Sequence, residues 1–132
     1  MSEDELNKIS QTIIGCAYSV GNALGNGFLE KVYENALVLE LSEKHLDVKQ
    51  QYPIKVFYKN VVVGEYIADV LVENQVLIEL KTVKGLDEIH LAQCLNYLKA
   101  TKLPLCLLIN FGKPRVEVKR VLESVNLRSV FK

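Results

Sequence analysis

Residues 66–81 read YIADVLVENQVLIELK, two apolar runs on either side of a short polar segment. β-branched and aliphatic residues dominate both runs, which is typical of strands, whereas the polar residues 73–75 favour a turn. The sequence therefore predicts a β-hairpin built from strands at 61–72 and 76–82. This hairpin is unusual because it carries charged residues at positions where apolar residues are expected.

Three charged residues interrupt the hairpin: Asp69 in its first strand, and Glu79 and Lys81 in its second. If the loop has three residues, Val72 pairs with Val76, and counting back along both strands places Asp69 directly opposite Glu79. Opposed residues have Cβ atoms roughly 4.5–5.5 Å apart. Glu79 and Lys81 are two positions apart, so their side chains leave the same face of the strand.

Two facing carboxylates repel each other, and the arrangement is stable chiefly when a proton or a cation lies between them. A hard divalent ion such as Mg²⁺ or Mn²⁺ suits an all-oxygen site of this kind. Lys81 would then stand beside the ion, where it could hold the attacking water and meet a scissile phosphate. The residues alone leave a second interpretation open, in which Glu79 and Lys81 form an ion pair and Asp69 is half exposed.

Two helices are predicted ahead of the hairpin. Residues 2–24 begin with capping-box spacing and continue with apolar residues at the helical period. The glycines at 21, 25 and 27 are expected to end this helix, and a second helical pattern covers residues 29–45.

The remaining elements complete an α/β pattern. A strand is predicted at 54–58, helical periodicity returns after Gly85, and an apolar run at 105–109 predicts a strand buried on both faces. Residues 116–119 alternate like an edge strand. The order ααβββαββ predicts a single α/β domain over residues 1–132, with a mixed sheet of about four to five strands flanked by helices.

The charge of the chain gives little guidance to a partner. Lys plus Arg and Asp plus Glu both total 16 in 132 residues, so no net field steers the protein toward nucleic acid. From Lys113 onward, six basic residues stand against two acidic ones, a net charge of +4. This tail is either a local phosphate-contacting edge or a solvated terminal face.

The cysteines and the N-terminus bear on the compartment. Cys16, Cys94 and Cys106 lie among apolar neighbours without a C-x-x-C pair, so they are expected to be reduced core residues. The acidic start lacks the pattern of a secretory signal, and no segment is apolar enough to span a bilayer. The expected location is the cytoplasm, with no membrane association.

Several short motifs around these charges resemble a known family. They are Gly27-x-x-Glu30-x-x-Tyr33, Asp69, Glu79-Leu80-Lys81, Gln93-x-x-x-Tyr97-Leu98 and residues 108–112. Together they resemble the GxxExxY family, a branch of the PD-(D/E)XK nuclease superfamily, over roughly residues 10 to 122. Ala68 stands where the superfamily usually has a proline before the aspartate. The resemblance implies a restriction-endonuclease-like core.

The resemblance also implies roles for individual residues. The catalytic residues would be Glu30, Asp69, Glu79, Lys81 and Gln93. The residues that bind Mg²⁺ or Mn²⁺ would be Asp69, Glu79 and Leu80, and those that contact substrate would be Tyr33 and Tyr97. Alternatives stay open for four of these positions: a solvent-facing Glu30, a Tyr33 that only packs against the sheet, and a polar groove at Gln93 and Tyr97 unrelated to catalysis. His90 is interpreted as a first-turn histidine of its helix at least as readily as a catalytic one.

The leading functional prediction is a metal-dependent nuclease that hydrolyses phosphodiester bonds in nucleic acid, DNA or RNA, with a water activated by Mg²⁺ or Mn²⁺. One alternative is a catalytically silent module of the same fold that binds nucleic acid or a protein partner. Another is a homo-oligomeric protein in which the polar stripe of the third helix, formed by His90, Gln93 and Tyr97, is an interface.

Overall fold

A computed structural model describes residues 1–123 of the chain. The helices are α1 (Glu3–Leu24), α2 (Glu30–Glu43) and α3 (Glu88–Thr101). The strands are β1 (Val48–Tyr58), β2 (Val61–Val72), β3 (Val76–Lys81), β4 (Leu105–Asn110) and β5 (Glu117–Val121). This confirms the predicted order, with five strands in one mixed sheet.

The sheet has the strand order β1-β2-β3-β4-β5. The pair β3–β4 is parallel, and the other neighbours are antiparallel. Helix α3 connects the parallel pair, as a crossover must. All six residues of β4 are buried, because this strand is covered on both faces, as expected for the parallel part of a sheet.

Two hydrophobic cores lie on opposite faces of this sheet. One core joins α1 and α2 to the sheet through residues such as Ile13, Leu37 and Ile78. The other joins α3 to the opposite face through residues such as Leu77 and Leu91. Because successive side chains of a strand point to opposite faces, Leu77 and Ile78 of the same strand serve different cores. The sheet is therefore sandwiched between helices on both sides.

The prediction that Gly21 helps to end the first helix is wrong. Ser2 caps α1 as predicted, accepting a hydrogen bond from the Glu5 N–H at 3.1 Å, but the helix continues to Leu24 and ends at Gly25, which has φ 69°. A Cβ at position 21 would collide with the Val116 side chain. Gly21 therefore serves close packing of α1 against the segment before β5, not termination of the helix.

The first strand is longer than predicted, since β1 begins at Val48 and not at residue 54. Pro53 lies inside it, which is tolerated because β1 is an edge strand and needs no further hydrogen-bonding partner there. Lys59 and Asn60 have φ of 50° and 65°, the positive values that a tight two-residue hairpin turn requires. The β1–β2 hairpin that results is the longest paired element of the sheet.

All three cysteines and the first part of the basic tail lie within the described residues. Cys16, Cys94 and Cys106 are free and buried, as expected for core residues. In the basic tail, Arg120 donates hydrogen bonds to Ser10 and Asn7 of α1, so its side chain ties β5 to that helix. Two other basic residues of the tail, Arg128 and Lys132, lie outside the described residues.

None of the helices within residues 1–123 combines the length and the hydrophobicity that crossing a bilayer requires.

Candidate active site

The predicted hairpin register is confirmed. Val72 pairs with Val76, and the ladder continues to Val70 and Ile78. The next opposed positions are Asp69 and Glu79, where side chains take over the hydrogen bonding. Glu79 Oε1 accepts from the Asp69 main-chain N–H at 3.1 Å. Asp69 Oδ2 accepts from the Leu80 N–H at 2.7 Å, so each carboxylate is bound to the backbone of the facing strand.

Strand β2 changes face at Asp69. Ala68 packs in the core under α3, whereas Val70 packs in the core under α1 and α2. Residues two apart in a regular strand share a face, so the alternation is interrupted at the residue between them. In β1, Gln51 lies between Gln50 and Tyr52, which pair with the neighbours of Asp69, and its φ of 54° lies in the left-handed region that non-glycine residues seldom adopt. Backbone irregularity in both strands thus surrounds Asp69.

The environment of the two carboxylates favours their uncharged forms. Glu79 is only 4% exposed, and burial, followed by the charge of Asp69, raises its pKa to about 8. Burial also raises the pKa of Asp69, and the charges of Glu34 and Glu30 act in the same direction. The Leu80 N–H opposes that rise for Asp69, and Lys81 opposes it for both carboxyl groups. The site therefore demands a proton or a cation near neutral pH.

Lys81 ends β3 beside this pair and is partly exposed. Among the described residues it forms no ion pair with Glu79 or Asp69 within 4.0 Å, so the open interpretation of a simple Glu79–Lys81 ion pair receives no support. Its ammonium group is consequently not held in an ion pair by either carboxylate.

The segment that follows Lys81 is held by the end of β4. The Lys81 carbonyl accepts a hydrogen bond from the Phe111 N–H at 2.8 Å. Asn110, fully buried, accepts from the Val83 N–H at 3.0 Å and donates to the Val83 carbonyl at 2.9 Å. A Cβ at Gly112 would collide with the Val83 backbone. The motif at 108–112 is thus a clamp on the chain after Lys81.

Helix α2 supplies two carboxylates. Glu30, its first residue, is exposed, and its charge acts on both Asp69 and Glu79. Glu34 is buried at 4% exposure and accepts hydrogen bonds from Gln50 at 2.7 Å and from Gln51 at 3.0 Å, with Lys31 at 3.0 Å. Glu34 is not among the site residues predicted from the sequence. The available signal was its position one helical turn after Glu30, on the same face.

Tyr33 is fully buried. Its hydroxyl donates to the Gly25 carbonyl at 2.6 Å and accepts from the Phe28 N–H at 3.1 Å, and its ring stacks on Phe111 with centroids 4.6 Å apart. The stacking on Phe111 fits the packing role that the sequence left open for Tyr33. Its hydroxyl contacts also hold the loop between α1 and α2.

Gln93 and Tyr97 lie together on α3, facing the sheet. Gln93 Nε2 donates to the Tyr97 hydroxyl at 2.9 Å, and burial, then the charge of Glu79, raises the pKa of Tyr97. A groove of about 470 Å³ brings both residues together with Lys81 and Tyr66.

His90 also borders this groove, but it completes the cap of α3. Its Nδ1 accepts from the Asp87 N–H at 3.2 Å, while Asp87 Oδ1 accepts from the His90 N–H at 3.3 Å. His90 therefore has the first-turn capping role that the sequence left open beside a catalytic one.

The donor set at Asp69 and Glu79 fits a hard divalent cation. Within residues 1–123, Asp69 Oδ1 and Glu79 Oε2 accept no hydrogen bond, so one oxygen of each carboxylate remains for an ion. The Leu80 side chain is a buried hydrocarbon, and only its main-chain carbonyl could contact an ion. No group of three or more His, Cys, Asp or Glu is poised to hold a metal in the described chain, so further ligands would come from main chain, water and substrate.

A five-stranded mixed sheet between helices, with facing carboxylates where two central strands part, defines an α/β protein of the restriction-endonuclease-like class. The family model of the PD-(D/E)XK nuclease superfamily matches residues 7–121, and the chain belongs to this superfamily. No curated protein matches the chain significantly.

The same fold is found among solved structures. The crystal structure of SSO0001 superposes with a TM-score of 0.58 at 19% sequence identity. The match covers 76% of this chain and 54% of SSO0001, so the chain corresponds to about half the length of that protein. At this identity the likeness concerns the fold alone.

Proposed function

We propose that this protein is a divalent-metal-dependent nuclease of the GxxExxY branch, which hydrolyses phosphodiester bonds in nucleic acid. The observation that carries the proposal is the facing pair Asp69 and Glu79, partly buried and each with one oxygen left without a hydrogen bond among the described residues. Membership of the PD-(D/E)XK nuclease superfamily supports it.

In this proposal, each residue of the candidate site has a separate role. Asp69 and Glu79 would hold a Mg²⁺ or Mn²⁺ ion, which when bound would neutralise charge on the phosphate and lower the pKa of a nearby water. Lys81 is not tied to either carboxylate and donates to a phosphate oxygen or orients the attacking water. The clamp of Asn110 on Val83 keeps the chain after Lys81 in place, which limits the positions its ammonium group can reach.

Two flanking residues position the reactants. Glu30 stands at the start of α2, where its carboxylate can accept hydrogen bonds from water at the edge of the site. Gln93 donates to Tyr97 with its amide nitrogen, which leaves its amide oxygen to accept from water or from a sugar hydroxyl in the groove. Tyr97, with its raised pKa, serves as a neutral hydrogen-bonding group and not as a base.

A catalytically silent module is the second candidate, favoured by one observation: the chain has no net charge to strengthen binding to a polyanion. Such a module would keep the carboxylate pair for ion-dependent folding or for recognition. It would bind nucleic acid or a protein partner without cleaving nucleic acid.

Cleavage of end-labelled single- and double-stranded DNA and RNA, in Mg²⁺, Mn²⁺ or EDTA, tests the proposal. Cleavage should require the ion and should disappear in Lys81→Ala while circular dichroism stays native. Lys84→Ala is the matched control, because Lys84 is an exposed lysine three residues on. Equal activity in the wild type and in Lys81→Ala would show that Lys81 takes no part in cleavage. Binding without cleavage in every ion would support the silent module.

A further inference from the structure

The catalytic groove continues into a second cavity along α3. The groove at Lys81 and Gln93 is lined in part by Tyr66 and Asn96, and these two residues also line a neighbouring cavity of about 480 Å³. The Tyr66 and Tyr97 rings, with centroids 5.9 Å apart, stand where the two meet. The two cavities therefore adjoin along α3, a helix of 14 residues about 21 Å long, and the first of them includes Lys81 of the candidate site.

The second cavity exists because the β1–β2 ribbon extends beyond the rest of the sheet. Strands β1 and β2 stay paired as far as Tyr58 and Val61, whereas β2 and β3 pair only from Val70 to Val72. The outer part of the ribbon consequently has α3 beside it and no third strand. Its aromatic residues are left uncovered, with Phe57 61% and Tyr66 50% exposed.

The walls of this cavity combine aromatic rings with positive charge. Of the eight residues of the described chain that line it, two are the aromatic Phe57 and Tyr66, three are lysines and none is acidic. Lys99 and Lys102 come from the end of α3, and Lys55 comes from β1. Glu65 pairs across the ribbon from Lys55 and offsets part of its charge, so the positive field rests mainly on the two lysines of α3.

We infer that this cavity binds single-stranded nucleic acid next to the bond that is cut. Exposed aromatic rings stack on unpaired bases, each stacked base contributing about 1–3 kcal/mol, whereas bases stacked within a duplex present no free face to them. Lysines beside the rings meet the phosphates of the same strand. The inference rests on the proposed function, and it names the substrate: a single strand, or the unpaired part of a larger nucleic acid.

Fluorescence anisotropy with labelled oligothymidylate and oligouridylate, in EDTA so that no cleavage occurs, tests the inference. Phe57→Ala should weaken binding about fivefold or more, the lower limit expected for one lost stacking contact. The double variant Lys99→Gln and Lys102→Asn should lower the slope of log affinity against log salt by about 1.4, since each phosphate contact to a single strand contributes about 0.7. Asn suits position 102, where φ is 62°.

Matched controls separate the groove from the rest of the surface. Leu39→Ala removes an apolar side chain that is 62% exposed on α2, and Lys8→Gln with Lys44→Asn removes the same charge from α1 and from the end of α2. Both controls should bind as the wild type does. A self-complementary duplex should compete poorly against the single strand.

The binding results distinguish the single-strand inference from the nuclease proposal. Groove-dependent binding of the single strand supports the inference even if the wild type cuts nothing, in which case only the nuclease proposal fails. Equal binding by Phe57→Ala, the lysine variant and the wild type overturns the inference. A preference for duplex also overturns it. Neither result contradicts the nuclease proposal. A wild type that binds no nucleic acid, or whose dimer in sedimentation is dissociated by Phe57→Ala, also overturns it, since the aromatic groove would then serve another purpose.

Discussion

The main-chain N–H of Asp69 donates a hydrogen bond to the side chain of Glu79, and the two carboxyl groups thereby face each other across the end of a β-ladder. Asp69 in turn accepts from the Leu80 N–H. Main-chain donors hold both carboxylates in place without neutralising them. Two buried like charges destabilise the folded state, and a proton or a bound ion relieves this destabilisation.

The stability of the metal-free protein should fall as the pH rises. The pKa of Glu79 in the folded protein is about 8, above its ordinary value of 4.5, so the folded state binds this proton more tightly than the unfolded state does. The stabilising contribution is complete below the unfolded pKa and is lost as pH rises through the folded one. Thermal and urea unfolding in EDTA from pH 5 to pH 8.5 should show a loss of at least about 1.4 kcal/mol, the equivalent of one pKa unit.

The variant Glu79→Gln isolates this effect, because its amide oxygen can still accept from the Asp69 N–H while carrying no charge. Its unfolding free energy should change much less over the same pH range. Glu43→Gln, at an exposed position, should keep the wild-type slope. A wild type as stable at pH 8.5 as at pH 5 would show that Glu79 is not strained in its ionised form.

Replacing Asp69 should separate its charge from its hydrogen bond. In EDTA near pH 8, Asp69→Asn should unfold at a higher temperature than the wild type, since like-charge repulsion disappears and the amide oxygen can still accept from the Leu80 N–H. Asp69→Ala should be less stable than Asp69→Asn by about 1–3 kcal/mol, because it leaves that donor without its partner.

Magnesium should reverse the ranking of Asp69→Asn and the wild type. An ion that binds only the folded wild type stabilises it by about 2.7 kcal/mol at a hundred times the dissociation constant, a gain that the variant should largely lose. If Asp69→Asn is the less stable protein in EDTA and gains as much from Mg²⁺ as the wild type, the two carboxylates do not share an ion.

The buried Glu34 should matter for both stability and turnover. Glu34→Ala removes an acceptor of the Gln50 and Gln51 amides; because both glutamines are exposed and water can replace the lost partner, each lost hydrogen bond should cost about 0.5–1.5 kcal/mol. Because Gln51 lies between the β1 residues that pair with the neighbours of Asp69, we also expect reduced cleavage per bound substrate. Glu43→Ala on the same helix is the control. Unchanged stability and turnover in Glu34→Ala would show that this network is incidental to the site.

The clamp after Lys81 gives a prediction about positioning. Asn110→Ala removes both hydrogen bonds to Val83 and should lower the unfolding free energy by about 1–3 kcal/mol. At a temperature where the variant is fully folded, kcat should fall with little change in KM, because Lys81 is less well placed. If folded Asn110→Ala has the same kcat as the wild type, Asn110 contributes only to stability.

Much of this site follows from the sequence because a hairpin register is local information. A three-residue loop and the two-residue period of a strand suffice to oppose Asp69 and Glu79, and no distant contact is needed. The element order was predictable for the same reason, since apolar periodicity shows directly which faces are buried. The family motifs at Gln93 and Tyr97 also mark residues that line one groove with Lys81.

The rest depends on tertiary packing, which no local pattern encodes. The left-handed conformation of Gln51 and the change of face at Asp69 occur at an ordinary glutamine and an ordinary aspartate. Glu34 is buried only because Gln50 and Gln51 of a distant strand approach α2. Gly21 was misinterpreted as a helix terminator because its reason, the closeness of Val116, lies far away in sequence.

The most direct test of the central claim, that Asp69 and Glu79 share a divalent ion, is a crystal structure of the protein soaked in Mn²⁺, examined by anomalous scattering. The account predicts an anomalous peak within coordination distance of Asp69 Oδ1 and Glu79 Oε2, which Asp69→Asn abolishes. Absence of a peak there at saturating Mn²⁺, or carboxylates that point away from each other, would contradict it.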